Sequence, residues 1–265
     1  MKPIIVAEAA TNHNGDIVLA KEMIYAAKEA GADYIKFQSW QIKNMDPKNP
    51  AYEMMKPKEL SDEAHRKLIS ESEKAGIKFL TTCFDIARID FLASLGMEAI
   101  KVASTDAGSI RMLKMLRERF KVIILSVGMA YPQEVEEAVG ILKQGKFYLL
   151  HCVGLYPTPA ERANLARIEW LRRFTPNVGY SDHTLGVEAA QVAVAMGAKI
   201  IEKHFTLRKD PNNVFSQISV LPEGLKAICD FAKKYEALYG EKEAKLSEEE
   251  IANRKKFIGR WGDNK

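Results

Sequence analysis

Cysteine is scarce in this chain of 265 residues: Cys83, Cys152 and Cys229 stand far apart, and no two form a CxxC pair. An odd, scattered set excludes a disulfide framework and makes a reducing, cytoplasmic setting the expectation. Long apolar runs are absent, so no membrane-spanning segment is expected. The N-terminal MKPIIVAEAA enters a strand-like segment directly, without the apolar core of a signal peptide. Neither sign of charge dominates. The 39 basic and 35 acidic residues are interspersed and leave a net charge of +4. That balance argues against a dedicated nucleic-acid binder and suits a small anionic ligand. A GxGxxG phosphate loop is also missing after the first apolar run, where TNHNGD (11–16) stands instead.

What is present is a repeating pattern. Short β-branched runs occur at 4–10, 34–40, 79–85, 99–105, 122–128, 147–154, 177–183 and 199–206. Helix-period segments lie between them, at 18–31, 65–77, 110–120, 132–145 and 187–198. Several close on a glycine just before the next strand, as in AG-AD, AG-IK, LG-ME and MG-AK, and Pro132 opens another. Eight such units predict an α/β fold: a single (β/α)₈ barrel with a parallel eight-stranded core. A doubly wound open sheet is the alternative, disfavoured by the missing phosphate loop. The barrel is expected over residues 1–245, with a charged helical extension over 246–265. The stretch 41–60, with three prolines, is a long insertion after the second strand.

Parallel strands covered on both faces should be almost wholly apolar. These strands carry Glu8, Lys36, Gln38, Thr82, Lys101, Ser104, Ser126, His151, Ser181, His183, Glu202 and His204 in their second halves. In a barrel that end is the mouth where chemistry is done. Residues two apart on a strand share a face, which pairs Lys36 with Gln38, Ser181 with His183, and Glu202 with His204. A single strand histidine is ordinarily a hydrogen-bonded core residue, and a single strand-end lysine a snorkelling one. The whole set is harder to read that way, because each unpaired buried ion costs on the order of several kcal/mol. His183 and His204 fall on neighbouring strands, about 4.8 Å apart. They either share one divalent ion, for which mixed N/O ligation suits manganese, zinc or iron, or hydrogen-bond carboxylates such as Glu202. Lys36 and Lys101, with nearby hydroxyls, suit a small ligand with two anionic ends, such as phosphoenolpyruvate. Either lysine would alternatively serve as a Schiff-base nucleophile.

The segments IVAEAATNHNGD, AGADYIKFQ, FLTTCFD, IKVAST, VIILSVGMA, LLHCVGLYPTP, VGYSDHTLG and IEKHFT, in this order, resemble the sialic acid synthase family over about residues 4–222. The family comprises N-acetylneuraminate, pseudaminate and legionaminate synthases. The resemblance implies condensation of phosphoenolpyruvate with the aldehyde of an open-chain amino sugar. Cleavage of a C–O bond would release phosphate and a 2-keto-3-deoxy sugar acid. It further implies Glu8, Gln38 and Lys101 as catalytic residues. Lys36, Thr82, Ser104, Ser126, Ser181, Asp106, Tyr156 and Asn49 would bind the substrates. His183 and His204 would hold manganese or magnesium.

Some positions depart from the family pattern. Ser104-Thr105-Asp106 replaces an SGE-like triplet, Gly154 replaces a polar residue, and Phe215 stands where an acid aligns. The family's C-terminal antifreeze-like domain is not seen. These departures predict an altered acceptor aldehyde, or a homodimer partner or separate subunit completing the sugar site. A non-catalytic phosphoenolpyruvate- or sugar-binding barrel and a Schiff-base aldolase remain the competing readings.

Overall fold

The β-branched runs become eight parallel strands that pair in chain order and close on themselves. They are β1 Ile4–Ala10, β2 Tyr34–Ser39, β3 Lys78–Cys83, β4 Ala99–Val102, β5 Val122–Ser126, β6 Lys146–His151, β7 Val178–Asp182 and β8 Ile200–His204. The first and last strands pair from Ile4↔Ile200 to Glu8↔His204, which seals the barrel. The computed structural model describes residues 2–240 and 245–257.

Helices cover the outside of the barrel. In chain order they are α1 Ile17–Glu29, α2 Tyr52–Met55, α3 Asp62–Ala75, α4 Ile89–Ser94, α5 Ile110–Arg119 and α6 Pro132–Leu142. They continue with α7 Arg167–Leu171, α8 Glu188–Ala195, α9 Val214–Ile218, α10 Pro222–Tyr239 and α11 Glu248–Phe257. Asp16 caps α1 by accepting from the amides of Val18 and Leu19. Gly76 ends α3 at φ 69°, and Gly31, Gly96 and Gly197 turn the chain with the same positive sign, as the sequence predicts. The helix α11 lies within the expected C-terminal extension; residues 258–265 of that extension fall outside the described residues.

The main core lies between barrel and helices, where Ile5, Phe37, Leu113 and Leu149 are fully buried. Each such side chain contributes roughly 1.5–3 kcal/mol through burial. A smaller apolar layer fills the barrel itself: Val6, Leu80, Ile124, Leu150 and Ile200. This layer separates the C-terminal mouth from a second cavity of about 730 Å³ at the other end of the barrel, lined by Ile4, Val6, Tyr34, Ile124 and Ile200.

Several strands stop sooner than the sequence pattern indicates. Because β4 ends at Val102, Ser104 and Asp106 sit in a 3₁₀ turn (Ser104–Asp106) instead of on the strand. His183 likewise lies one residue past β7. The insertion 41–60 forms 3₁₀ turns at Ile42–Asn44 and Lys56–Lys58 around α2. It packs against the TNHNGD loop so tightly that a Cβ on Gly15 would lie 1.9 Å from the Pro57 carbonyl oxygen.

Candidate active site

Two residues beyond the apolar plug stand Glu8, Thr82, Ser126 and Glu202 on their strands and Cys152 one residue past the end of β6. Period two keeps them pointing inward. They form the floor of a cavity of about 980 Å³ at the C-terminal mouth. Every residue to which the family resemblance gave a role lines it: Glu8, Lys36, Gln38, Asn49, Thr82, Lys101, Ser104, Asp106, Ser126, Tyr156, Ser181, His183 and His204. His151 does not. It falls on the opposite parity of β6, donates from Nε2 to the Ala163 carbonyl at 2.8 Å and stacks on Tyr180. Its position in the second half of a strand is therefore structural.

The floor is an alternating network of charge. Lys36 is ion-paired with Glu8, donates to Thr82 Oγ1 at 2.7 Å and lies 3.7 Å from Glu202 Oε2. Lys101 donates to Ser126 Oγ at 2.7 Å and to the Val102 carbonyl at 3.0 Å, and lies 3.9 Å from Glu202 Oε1. Ser181 donates to the same Glu202 oxygen at 2.8 Å, and Gln38 donates to Glu8 Oε1 at 3.2 Å. Glu202 thus bridges two lysines. The sequence reading placed it among the strand-end polar residues, on the face of His204, and offered it as a carboxylate that the histidines would hydrogen-bond; instead it accepts from Ser181, and His183 Nδ1 donates to the Val153 carbonyl. Cys152 was unassigned. It was legible only as the residue two beyond Leu150, and burial pushes its thiol pKa up.

The network separates the two carboxylates. Burial pushes Glu8 up to about 7, against the pull of Lys36 and reinforced by the charge of Glu202. Burial also opposes the charge on Glu202, but Lys101 and Lys36 outweigh it and hold that carboxyl below its ordinary value. On Lys36, burial is overcome by Glu202 and Glu8, and the ammonium is stabilised. On Lys101, burial wins and the pKa falls, with Glu202 only partly compensating.

His183 and His204 meet at one side of the floor, with ring centroids 5.4 Å apart. His183 Nδ1 donates to the Val153 carbonyl at 2.7 Å, which leaves Nε2 with its lone pair. His204 Nδ1 is buried without a hydrogen-bond partner. Burial lowers the pKa of both rings, most strongly for His204, where the electrostatic repulsion of His183, Lys36, Lys203 and Lys101 adds to it. Neutral imidazoles with bare nitrogens are the form that binds a divalent cation, so the pair fits one. No cluster of three or more His, Cys, Asp or Glu side chains suited to a metal occurs among the described residues. Substrate or water oxygens would have to complete the shell.

Aromatic rings cover the histidines. Tyr156 stacks on His183 at 4.3 Å, and Phe215 stacks on His204 at 5.6 Å. Tyr156 and Phe215 meet edge to face at 5.6 Å. The loop carrying Phe215 is tied to the TNHNGD loop. Asn213 donates to Asn12 Oδ1 at 3.2 Å, and Asn12 donates to the Phe205 carbonyl and Ser219 Oγ, both at 2.9 Å. This buried amide network, unrecognised in the sequence, holds α9 over the mouth. At Gly154, a Cβ would meet Met129 Cγ and Sδ at 2.7 Å, so the methionine occupies the space of a larger residue there.

Comparison with known proteins agrees with the architecture. The NeuB family pattern matches residues 23–244. The chain is 38% identical to the N,N'-diacetyllegionaminic acid synthase of Campylobacter jejuni, covering 95% of this chain and 82% of that protein. It is also 38% identical to the enzyme of the same name from Legionella pneumophila, covering 95% and 77%. Among solved structures, the N-acetylneuraminic acid synthetase of Leptospira borgpetersenii, crystallised with citrate, superposes with a TM-score of 0.90. The identity is 35%, over 96% of this chain and 92% of that one. Among the described residues no helix is long and apolar enough to cross a membrane.

Proposed function

The chain belongs to the NeuB family, and from that premise we propose that it condenses phosphoenolpyruvate with the aldehyde of an open-chain amino sugar. It is an enzyme of the phosphoenolpyruvate-utilising, carbon–carbon bond-forming kind, like the sialic-acid-type synthases it matches. The products are inorganic phosphate and a 2-keto-3-deoxy sugar acid. The observation that carries this reading is the floor itself: two buried lysines and four hydroxyls beside two neutral imidazoles, above an apolar layer.

Each group on the floor has a task in that reaction. Lys36 and Lys101 supply the positive charge that a phosphate and a carboxylate need, and Thr82, Ser104, Ser126 and Ser181 supply hydroxyl donors. A divalent cation such as manganese or magnesium, held by His183 and His204, would polarise the acceptor carbonyl as a Lewis acid. The enol π pair of phosphoenolpyruvate attacks the aldehyde carbon through C3, leaving C2 electron-poor. Water adds at C2 and gives a proton to Glu8, whose pKa near 7 leaves it ready to accept one. Gln38 donates to Glu8 and orients its carboxylate. Lys36 and Lys101 stabilise the resulting tetrahedral phosphate ester until the C2–O bond breaks and phosphate departs. The C2 hydroxyl closes to the ketone and its proton leaves on the phosphate, while the former aldehyde oxygen takes the proton held by Glu8 and becomes a hydroxyl. Asp106, Asn49 and Tyr156, higher on the wall, contact the sugar. Residues 1–245 form the catalytic barrel in this reading. A second copy of the chain or a separate subunit would complete the sugar side.

The test is phosphate release from phosphoenolpyruvate across a panel of free and phosphorylated aldoses, with manganese present. Release should require both substrates and stop on chelation. Phosphoenolpyruvate binding by calorimetry without turnover on any aldose would instead support a binding barrel. Borohydride trapping of a lysine adduct would support a Schiff-base aldolase, with the depressed Lys101 as its nucleophile.

A further inference from the structure

The two histidines at the floor are held in different ways. His183 donates from Nδ1 to the Val153 carbonyl at 2.7 Å, which fixes the plane and the tautomer of its ring. A histidine that ligates a cation is ordinarily oriented in this manner, through its other ring nitrogen. His204 lacks such a bond, because its Nδ1 is buried without a hydrogen-bond partner. What restrains its ring is aromatic contact.

The imidazole lies parallel to the ring of Phe215, with an interplanar angle of 2° and centroids 5.6 Å apart. Tyr156 meets the same imidazole edge-on at 6.0 Å. Phe215 is itself fixed. It is the second residue of α9, and its backbone amide donates to Oδ1 of Asn213, the cap of that helix, at 3.1 Å. The side-chain amide of Asn213 donates to Asn12. Asn12 donates in turn to Ser219, just past the far end of α9, and to the carbonyl of Phe205, the residue after His204. Asn12 and Asn213 are only 4% and 2% exposed, so water does not compete for these bonds. A chain of buried hydrogen bonds thus runs from the backbone beside His204, through both asparagines, to the ring that covers it.

We propose that Phe215, seated by Asn12 and Asn213, is the positioning residue that aims the His204 imidazole at a divalent cation, in place of an orienting hydrogen bond. This rests on the metal assignment within the condensation reading above. Stacking sets the plane of the ring, and the tie to the Phe205 carbonyl sets the backbone from which it projects. His183 needs no such support, since a carbonyl already holds it. The assignment gives a task to Phe215, a position where this chain departs from the family pattern. It also gives one to two buried primary amides, which are costly inside a protein unless their bonds are made.

Manganese binding to the whole chain is measured by electron paramagnetic resonance with phosphoenolpyruvate saturating, so no turnover is needed. Phe215→Leu keeps apolar bulk without a ring face and should weaken manganese about tenfold or more, as expected when the outer partner of a metal ligand is lost. Phe215→Tyr keeps the face and should stay within about threefold of the wild type. Asn213→Ser keeps an oxygen to cap α9 but cannot reach Asn12, and should fall between the two. Pulsed resonance should show coupling to both imidazoles in the wild type and to His183 alone in Phe215→Leu. Phosphoenolpyruvate affinity without metal should be unchanged in every variant, because the lysines of the floor are not touched. Manganese affinity within about twofold of the wild type in Phe215→Leu, or equal losses in the leucine and tyrosine variants, would overturn the proposal while leaving the condensation intact. A parallel loss of phosphoenolpyruvate affinity would assign Phe215 to general packing and overturn it as well. Failure of the wild type to bind manganese would remove the metal assignment, and this inference with it.

Discussion

Two buried lysine–carboxylate clusters lie on adjacent residues of β8, and they do different things. On the inner face, Lys36, Glu8, Glu202 and Lys101 surround the cavity floor. On the outer face, Lys203 is bonded to Asp182 at 2.8 Å and to the Thr184 carbonyl at 2.6 Å. Asp182 also accepts from Tyr180 and twice from Thr184. The side chains of the outer pair are 0% exposed, whereas those of Lys36, Glu8 and Glu202 retain 4%, 2% and 7%. That small opening separates a staple from a site. The outer pair has spent its hydrogen-bonding capacity on its own chain. In the inner cluster Glu202 Oε2 has no hydrogen-bond partner, and Glu8 Oε2 has only its ion pair with Lys36.

The largest effect that would sharpen this contrast is expected from Lys36→Met. It should lower kcat/KM by about 10³-fold or more, because the phosphate ester loses one of two fixed cations. Denaturant unfolding of the same variant checks that the barrel persists, and a loss of activity no larger than tenfold would break the contrast. Lys203→Met should do the reverse. Leaving Asp182 buried and unpaired should cost about 3–5 kcal/mol of stability, with far less effect on turnover per folded molecule. Urea unfolding measures the first quantity, and steady-state kinetics corrected for folded fraction measures the second.

A smaller effect is expected from pH. The wild-type kcat/KM should rise through an acid limb near pH 7 as Glu8 ionises, and Glu8→Gln should abolish that limb along with most activity. The stability change has the opposite sign. Because Glu8 is raised in the folded state from 4.5 to about 7, its favourable contribution is full below pH 4.5 and is lost as pH rises through 7. Glu8→Gln should flatten that decline in a series of melts between pH 5 and 8.

Much of this was legible without coordinates. Strand runs and glycine stops are local signals, and they gave the barrel because eight βα units have few ways to close. The nominated site residues were legible because a polar side chain inside a parallel strand is costly unless it is used. The distinction between Glu202 and Lys203 was available from alternation alone. The role of His151 was not, since its partner is the carbonyl of Ala163, twelve residues away in a loop. Asn12 and Asn213, 201 residues apart, were invisible as a pair.

The chain's own order of residues determined the eight-unit barrel, the face on which chemistry sits and the inward set on each strand, because backbone geometry has a period of two in strands and 3.6 in helices. Tertiary structure alone decided that one imidazole nitrogen would be left bare and that Phe215 would stack on His204. Those outcomes depend on which strands become neighbours after closure and on how loops far apart in the chain pack at the mouth, and no local periodicity encodes either.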